Sequence, residues 1–311
     1  MAIEVDARAA GFEAKKLARI GEHLSERYVE PGKIAGCQVL VSRHGIPGYF
    51  ESYGLMDRER NKPMQDDTLF RIYSMSKPIT SVALMMLWEE GRFQLSDPVH
   101  RYIPSWRNQV VWQEGEGSSM VTRRPKAPPT MQHILSHTAG LTYGGLLPGL
   151  ESLVDAAYQH MGVARGDGET LMEFADKLGR VPLLYEPGSK WCYSLATDVC
   201  GALVEIISGQ PFEQFLQERL FAPLGMRDTG FRVSDDQLDR FAACYVRGPD
   251  KRLLLEDDPE TSHYRHKRNF FSGGGGLVGT TDAYMAFCEM LRKGGRDQWT
   301  RIRGGRTLEL A

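Results

Sequence analysis

The sequence predicts an α/β (α+β) chain in which a helix and an antiparallel hairpin come first, a mainly α-helical middle follows, and a glycine-rich stretch leads into a last helix. Three observations carry this. Phe12, Leu17, Ile20, Leu24 and Tyr28 recur near helical spacing until Pro31-Gly32 stops the pattern. The runs 36–42 and 48–54 are rich in β-formers and flank the turn-prone Arg43-His44-Gly45-Ile46-Pro47. Beyond residue 80, apolar helical patterns alternate with Gly and Pro stops for well over a hundred residues.

In chain order, the stretch Phe70-Arg71-Ile72-Tyr73-Ser74-Met75-Ser76-Lys77-Pro78-Ile79-Thr80 turns from loop into an apolar helix over 82–88, which Gly91 caps. Residues 108–130, with Gly115, Gly117, Pro125, Pro128 and Pro129, form an irregular connection of the length that often borders a binding site. A short helix over 130–141 is closed by Gly140. Helical segments around 153–160 and 171–178 follow a glycine-rich loop. Segment 185–195 leads into a helix over 196–207 that Gly209 ends. Pro211 then opens another, with Phe212, Phe215, Leu216 and Leu220 on one face. After 271–277 a helix carries Tyr284, Phe287 and Leu291. These patterns divide the chain into an α/β lobe, 1–80 with 270–311, and a mainly helical lobe, 81–269.

The formal charge of −2 gives no electrostatic case for nucleic acid or an anionic membrane, and the basic run 264–268 follows the acidic Glu256-Asp257-Asp258 as solvated loop. Glu4 and Asp6 stand where a signal peptide would carry positive charge, and no apolar run approaches the length of a membrane span. The five cysteines are odd in number, scattered and without a C-x-x-C pair, which suits free thiols in a reducing compartment. A cytoplasmic protein without membrane or nucleic-acid partners is expected, its oligomeric state left open.

The chemistry centres on Ser74 and Lys77. Three residues apart at a helix start, they share one face about a turn apart, a nucleophile beside a base. A serine hydroxyl is weak near neutral pH, so Lys77 must be able to give up its proton, which partial burial or a nearby cation favours. Backbone N–H groups at the helix start favour the negative charge that develops at Ser74. Ser76, the rival nucleophile, faces away from Ser74. His133 and His137 have i, i+4 spacing but no glutamate between them in the H-E-x-x-H manner, so a structural or capping role is expected rather than metal binding. No G-x-S-x-G elbow is present. Gly273 to Gly276 lack a phosphate-binding context and read as a close backbone approach near the site.

Four motifs in order, YSMSK, MQHILSHTAGL, EPGSKWCYSLATDVCGALVEIISGQPFEQFLQERLFAPLGM and GGGGLVGTTDAY, resemble the serine β-lactamase-related, penicillin-binding-protein-like hydrolases, particularly the class C-like carboxylesterases of family VIII type. The resemblance covers most of the chain from Gly36 onward. It implies a β-lactamase/transpeptidase-like fold, an antiparallel sheet with flanking helices plus a helical lobe. It implies a serine hydrolase that cleaves carboxylic esters through an acyl-enzyme on Ser74, with Lys77 and Tyr193 as base and a small-molecule ester as substrate. Neither metal nor organic cofactor is called for. Physically, a phenol held beside an ammonium has its ionised form stabilised and can relay the serine proton. Where β-lactamases carry asparagine two places after the tyrosine this chain has Leu195, which argues for apolar acyl groups and against efficient lactam turnover. A transacylase, a D-amino-acid peptidase or weak β-lactamase of the same fold, and a non-catalytic scaffold are the alternatives. The family's late K-T-G, H-x-G or W-x-G motif has no counterpart after Leu277, and residues 306–311 read as the start of an amphipathic helix. The sequence therefore predicts that the last sheet strands are missing, and with them one oxyanion donor and much of the stability and activity.

Overall fold

Helix α1 (Ala14–Leu24) takes up the first helical run and passes into a π-helical turn at Ser25–Val29, which shortens it relative to the 12–28 spacing. Strands β1 (Gly36–Arg43) and β2 (Ile46–Asp57) pair antiparallel, from Gly36 opposite Gly54 to Arg43 opposite Ile46. His44 and Gly45 turn the hairpin with φ of 56° and 84°, the mirror-image turn whose twist matches that of the strands. Strand β3 (Lys62–Pro63) adds to β2 in the order β1-β2-β3, the largest sheet among the described residues. The computed structural model describes residues 3–164, 166, 168–297 and 300–301. Residues 306–311, where the sequence suggests an amphipathic helix, lie outside them.

The chain continues through β4 (Phe70–Arg71), α2 (Ser76–Glu89), β5 (Val111–Glu114), β6 (Val121–Arg123) and the helices α3 (Met131–Leu135), α4 (Asp155–His160) and α5 (Leu171–Leu178). Next come α6 (Ala196–Ser208), α7 (Phe212–Leu216) and α8 (Ala222–Leu224), then the hairpin β7 (Cys244–Arg247) and β8 (Leu253–Asp257). Strand β9 (Val278–Gly279), helix α9 (Thr281–Arg292) and the short strands β10 (Arg296–Asp297) and β11 (Thr300–Arg301) complete the order.

Two compact units result. The first comprises Met1–Ile72, Phe221–Lys267 and Val278–Trp299; the second comprises Tyr73–Leu220, Arg268–Leu277 and Thr300–Ala311. These bounds differ from the lobes that the sequence suggests, because 221–267 sorts with the first unit. The reason is local. Strand β4 pairs with β9, and Leu69 bridges to Phe241. The small core Leu69, Val233, Phe241, Tyr264 and Val278 then closes over them. Arg71 locks that arrangement: it donates to Asp257 Oδ2 at 2.6 Å and to the Ala242 carbonyl at 2.5 Å, and its guanidinium lies 3.9 Å from the centre of the Phe241 ring. The basic and acidic runs near 256–268, read from sequence as solvated loop, thus contribute a half-buried anchor, Asp257, and a core ring, Tyr264.

In the second unit α2 and α6 are helices without a polar face. Val82 to Leu87 are all buried, as are Ala196 to Val204, so both helices need neighbours on every side. Each fully buried Leu, Ile or Val contributes about 1.5–3 kcal/mol. Gly91, at φ 72°, ends α2 by donating to the Trp88 carbonyl, and Gly209, at φ 75°, ends α6. The 108–130 connection is not wholly irregular, since β5 and β6 pair within it.

Candidate active site

Ser74 lies one turn ahead of α2, in the tight 3₁₀ turn Tyr73–Met75. Tyr73 before it holds φ at 41°, a left-handed conformation that a bulky residue adopts only where its surroundings impose it. The turn aims Ser74 Oγ along the face of α2 that carries Lys77. Lys77 Nζ donates to Ser74 Oγ at 3.0 Å and to the Gly274 carbonyl at 2.6 Å. Ser76 points elsewhere: it is fully buried and its Oγ accepts the Leu277 N–H at 3.2 Å.

Tyr193 arrives from the segment before α6. After the Pro187-Gly188 turn this segment runs beside residues 137–142, with Gly188 N–H on the Thr138 carbonyl, Cys192 N–H on that of His137 and Leu195 N–H on that of Thr142. The ladder brings Tyr193 Oη to 2.8 Å from Ser74 Oγ, as donor. The three residues picked out by sequence, Ser74, Lys77 and Tyr193, therefore meet at one oxygen.

The Tyr193 hydroxyl is pulled in opposite directions. Burial pushes it up, but hydrogen bonds with Lys77, Ser74 and Tyr143 and the Lys77 charge outweigh that and leave its pKa below the ordinary phenol value. The Lys77 ammonium sits 4.7 Å from the centre of the Tyr193 ring and 5.9 Å from that of Tyr143. Rings surround the phenol: Tyr143 at 5.2 Å, His137 at 5.3 Å and Trp191, stacked within 20° of parallel, at 6.1 Å.

Against this geometry, the β-lactamase family model matches residues 22–310. The chain belongs to the β-lactamase family. Esterase EstB of Burkholderia gladioli is 33% identical over 310 residues, spanning 94% of this chain and 74% of that protein. The solved structure of EstCE1, described as a hydrolase with promiscuous acyltransferase activity, superposes with a TM-score of 0.79 at 32% identity, over 95% of this chain and 76% of that one. Simvastatin synthase (LovD) from Aspergillus terreus matches with a TM-score of 0.76 at 28% identity, over 94% of this chain and 71% of its own. These matches support the β-lactamase/transpeptidase-like fold, with its mixed helices and small antiparallel sheets.

Several residues of this β-lactamase-family site escape sequence reasoning. Tyr143 is held from below, where Thr142 N–H donates to the hydroxyl of the fully buried Tyr158. Its only sequence signal is position, in the glycine-rich loop after residue 141. Asp198 is completely buried on α6, and its Oδ1 accepts from Ser272 Oγ at 2.5 Å and from Gly274 N–H at 2.9 Å. A carboxylate within an otherwise apolar helix was the available signal. His133 caps α3, its Nδ1 accepting the Thr130 N–H at 3.2 Å. His137 does more. Its ring nitrogens lie 3.1 Å from Ser194 Oγ and 3.3 Å from Thr197 Oγ1, and burial with the Lys77 charge lowers its pKa to about 4 against the opposing pull of Asp198. Leu195, at the position of the β-lactamase asparagine, is fully buried. The glycine run is the close approach that the sequence suggests: a Cβ on Gly273 would meet the Thr197 carbonyl at 2.7 Å and Thr80 Cγ2 at 2.9 Å.

The 108–130 connection reaches the same unit at the Glu186 turn, where Arg123 pairs with the Glu186 carboxylate and Lys126 N–H donates to it. A groove of about 730 Å³ lies elsewhere, lined by Met161, Glu169, Met172, Glu173 and Lys177, among others. Its charges answer one another, Lys177 with Glu169 at 2.7 Å and Arg180 with Asp176 at 2.6 Å, and it carries none of the reactive groups described above.

Proposed function

We propose that this chain hydrolyses small carboxylic esters through an acyl-enzyme on Ser74, with Lys77 and Tyr193 handling the proton. The observation that supports it best is the convergence of Lys77 Nζ, at 3.0 Å, and Tyr193 Oη, at 2.8 Å, on Ser74 Oγ. In that arrangement both groups present protons to the oxygen. The competent form is the one in which Tyr193 has lost its proton, and the Lys77 ammonium stabilises that phenolate. Ser74 Oγ attacks the ester carbonyl carbon as its proton passes to Tyr193, giving a tetrahedral oxyanion for which the Ser74 N–H is the proposed donor. Collapse breaks the bond to the alcohol oxygen, which takes the proton from Tyr193 and leaves. Water then repeats the sequence on the acyl-enzyme and releases the acid.

The relatives support an ester-cleaving enzyme, since one is named an esterase and another a hydrolase. An alcohol in place of water would give acyl transfer, the activity named alongside hydrolysis for EstCE1. The proposal includes a cytoplasmic location, supported by five free thiols. Among the described residues, no helix is long and apolar enough to cross a membrane. The division into an α/β lobe and a helical lobe is retained with its limits moved to the bounds of the two units.

The test is covalent labelling with a fluorophosphonate, followed by a panel of short and long acyl esters, β-lactams and D-peptides. Expected are one label per chain on Ser74, none in Ser74→Ala, and turnover of esters well above that of lactams. Wild-type labelling in Ser74→Ala would remove the nucleophile from the proposal.

A further inference from the structure

The glycine-rich segment 272–277 is fastened by hydrogen bonds from two helices. From α2, Thr80 Oγ1 donates to the Gly273 carbonyl at 2.8 Å and Ser76 Oγ accepts the Leu277 N–H at 3.2 Å. From α6, Asp198 Oδ1 accepts both Ser272 Oγ–H and Gly274 N–H. The peptide unit joining Gly273 to Gly274 is thus gripped at its oxygen by Thr80 and at its nitrogen by Asp198. With that unit fixed, the next carbonyl, of Gly274, meets Lys77 Nζ at 2.6 Å.

We propose that Asp198 is a positioning residue: its buried carboxylate fixes the 272–277 segment so that the Gly274 carbonyl holds the Lys77 ammonium on Ser74. The inference rests on the reading of Ser74 and Lys77 proposed above and extends it to a residue that touches neither the substrate nor the nucleophile. The charge itself calls for an explanation. Burying a carboxylate costs several kcal/mol even after relaxation, and an asparagine side-chain oxygen could accept the same two donors. What only the carboxylate adds is negative charge, linked to the Lys77 ammonium through Gly274, whose N–H it holds and whose carbonyl Lys77 holds. The neutral ring of His137 feels both charges, Lys77 lowering its pKa and Asp198 raising it, and the two residues hold opposite ends of Gly274. A lysine ammonium has three donors on a stem of four rotatable bonds. Anchoring one of them on Gly274 leaves the others for Ser74 and Tyr193.

Among the groups around Lys77 are Ser74 in its own turn, Gly274 in the strap, Tyr193 and Tyr143 as rings, and neutral His137, on which both Lys77 and Asp198 act. Removing the Asp198 charge favours the less positive state of the Lys77–Tyr193 pair, so the acid limb of kcat/KM moves to lower pH. Removing the acceptor as well releases the strap.

The experiment compares Asp198→Asn and Asp198→Ala with wild type, using a short-acyl nitrophenyl ester, pH profiles of kcat and kcat/KM, thermal melts and a crystal structure of each variant. Asp198→Ala should lose on the order of 10²-fold in kcat with a smaller change in KM, as displacement of a reacting group by about 1 Å does. Asp198→Asn should lose less, with its acid limb displaced by about one pH unit. In the Asp198→Ala structure Lys77 Nζ should have left the Gly274 carbonyl. A folded Asp198→Ala protein with wild-type kcat and an unmoved limb, or with Lys77 still on Gly274, would overturn the proposal. If Asp198→Ala does not fold, Ser272→Ala removes one of the two donors; a fall of about threefold to tenfold in kcat supports the proposal and an unchanged kcat sinks it. Should wild type turn over no ester through Ser74, the hydrolase reading fails, and the position of Lys77 in the variant structures still decides this one.

Discussion

His137 and Tyr193 stand ring against ring, 5.3 Å apart and tilted by 42°, and the imidazole of this pair is uncharged near neutral pH. A protonated imidazole there would put a second cation beside Lys77. Because it stays neutral, the positive charge against Tyr193 comes from the lysine, which can also reach Ser74.

Tyr193→Phe tests the phenol alone, since the ring and its contacts with Tyr143, His137 and Trp191 are retained. Loss of a positioned proton carrier costs about 10²–10⁴-fold. We expect kcat to fall within that range, KM to change little and fluorophosphonate labelling of Ser74 to slow in parallel. Near-wild-type turnover would leave Lys77 as sole base.

The low His137 pKa, about 4, makes an acid-stability prediction. Between pH 6.5 and pH 4 the unfolded chain binds a proton at this position that the folded chain does not. The unfolded state therefore gains as pH falls through that window, and the loss of stability reaches about 3 kcal/mol below it. His137→Asn tolerates the left-handed backbone, φ 55°, and has no such proton. Denaturant melts at pH 7, 5.5 and 4.5 should show a shallower decline for the variant than for wild type. Other titrating carboxylates act in both proteins and cancel; coincident slopes would mean that the ring is not held neutral.

Much of this site was legible from local patterns. Ser74 and Lys77 share a helix start, so spacing exposes them, whereas Tyr193 is picked out through the resemblance of the motif that carries it. Asp198 and Tyr143 were hidden, and His137 reads only as structural or capping, for a common reason: each is placed through a partner more than fifty residues away or through a ring contact that no spacing encodes. Asp198 reads as one polar residue in a helix until Ser272 and Gly274 fold onto it. The unit boundary near residue 72 was hidden in the same way, since it depends on β4 meeting β9 and on Arg71 reaching Asp257, both pairings between distant segments.

Ser76 separates nucleophile from scaffold. Its hydroxyl is buried and accepts the Leu277 N–H, so Ser76→Ala leaves one buried donor without its partner, at a cost of about 1–3 kcal/mol. Ser76→Ala should therefore melt earlier yet label on Ser74 with wild-type stoichiometry, whereas Ser74→Ala should melt close to wild type and not label. Reversal of the two outcomes would exchange their roles.

Gly273→Ala probes how tightly the strap must lie against α2 and α6. Its φ is not in the left-handed region, so alanine brings no backbone strain, and the cost is contact alone. The added Cβ would meet the Thr197 carbonyl at 2.7 Å and Thr80 Cγ2 at 2.9 Å, distances below those real Cβ atoms keep. The Thr197 oxygen is backbone of α6 and cannot turn aside, so the strap must move outward. Overpacking of this kind costs about 1–3 kcal/mol, and the movement should stretch both the Thr80 bond to Gly273 and the Lys77 bond to Gly274. We expect a melting temperature several degrees lower, together with a fall in kcat of about tenfold or more that persists when activity is compared per folded molecule. Adding Thr80→Ser, which removes the Cγ2 methyl but keeps the hydroxyl, should recover part of both losses. Recovery of stability without recovery of kcat would detach the strap from the placement of Lys77.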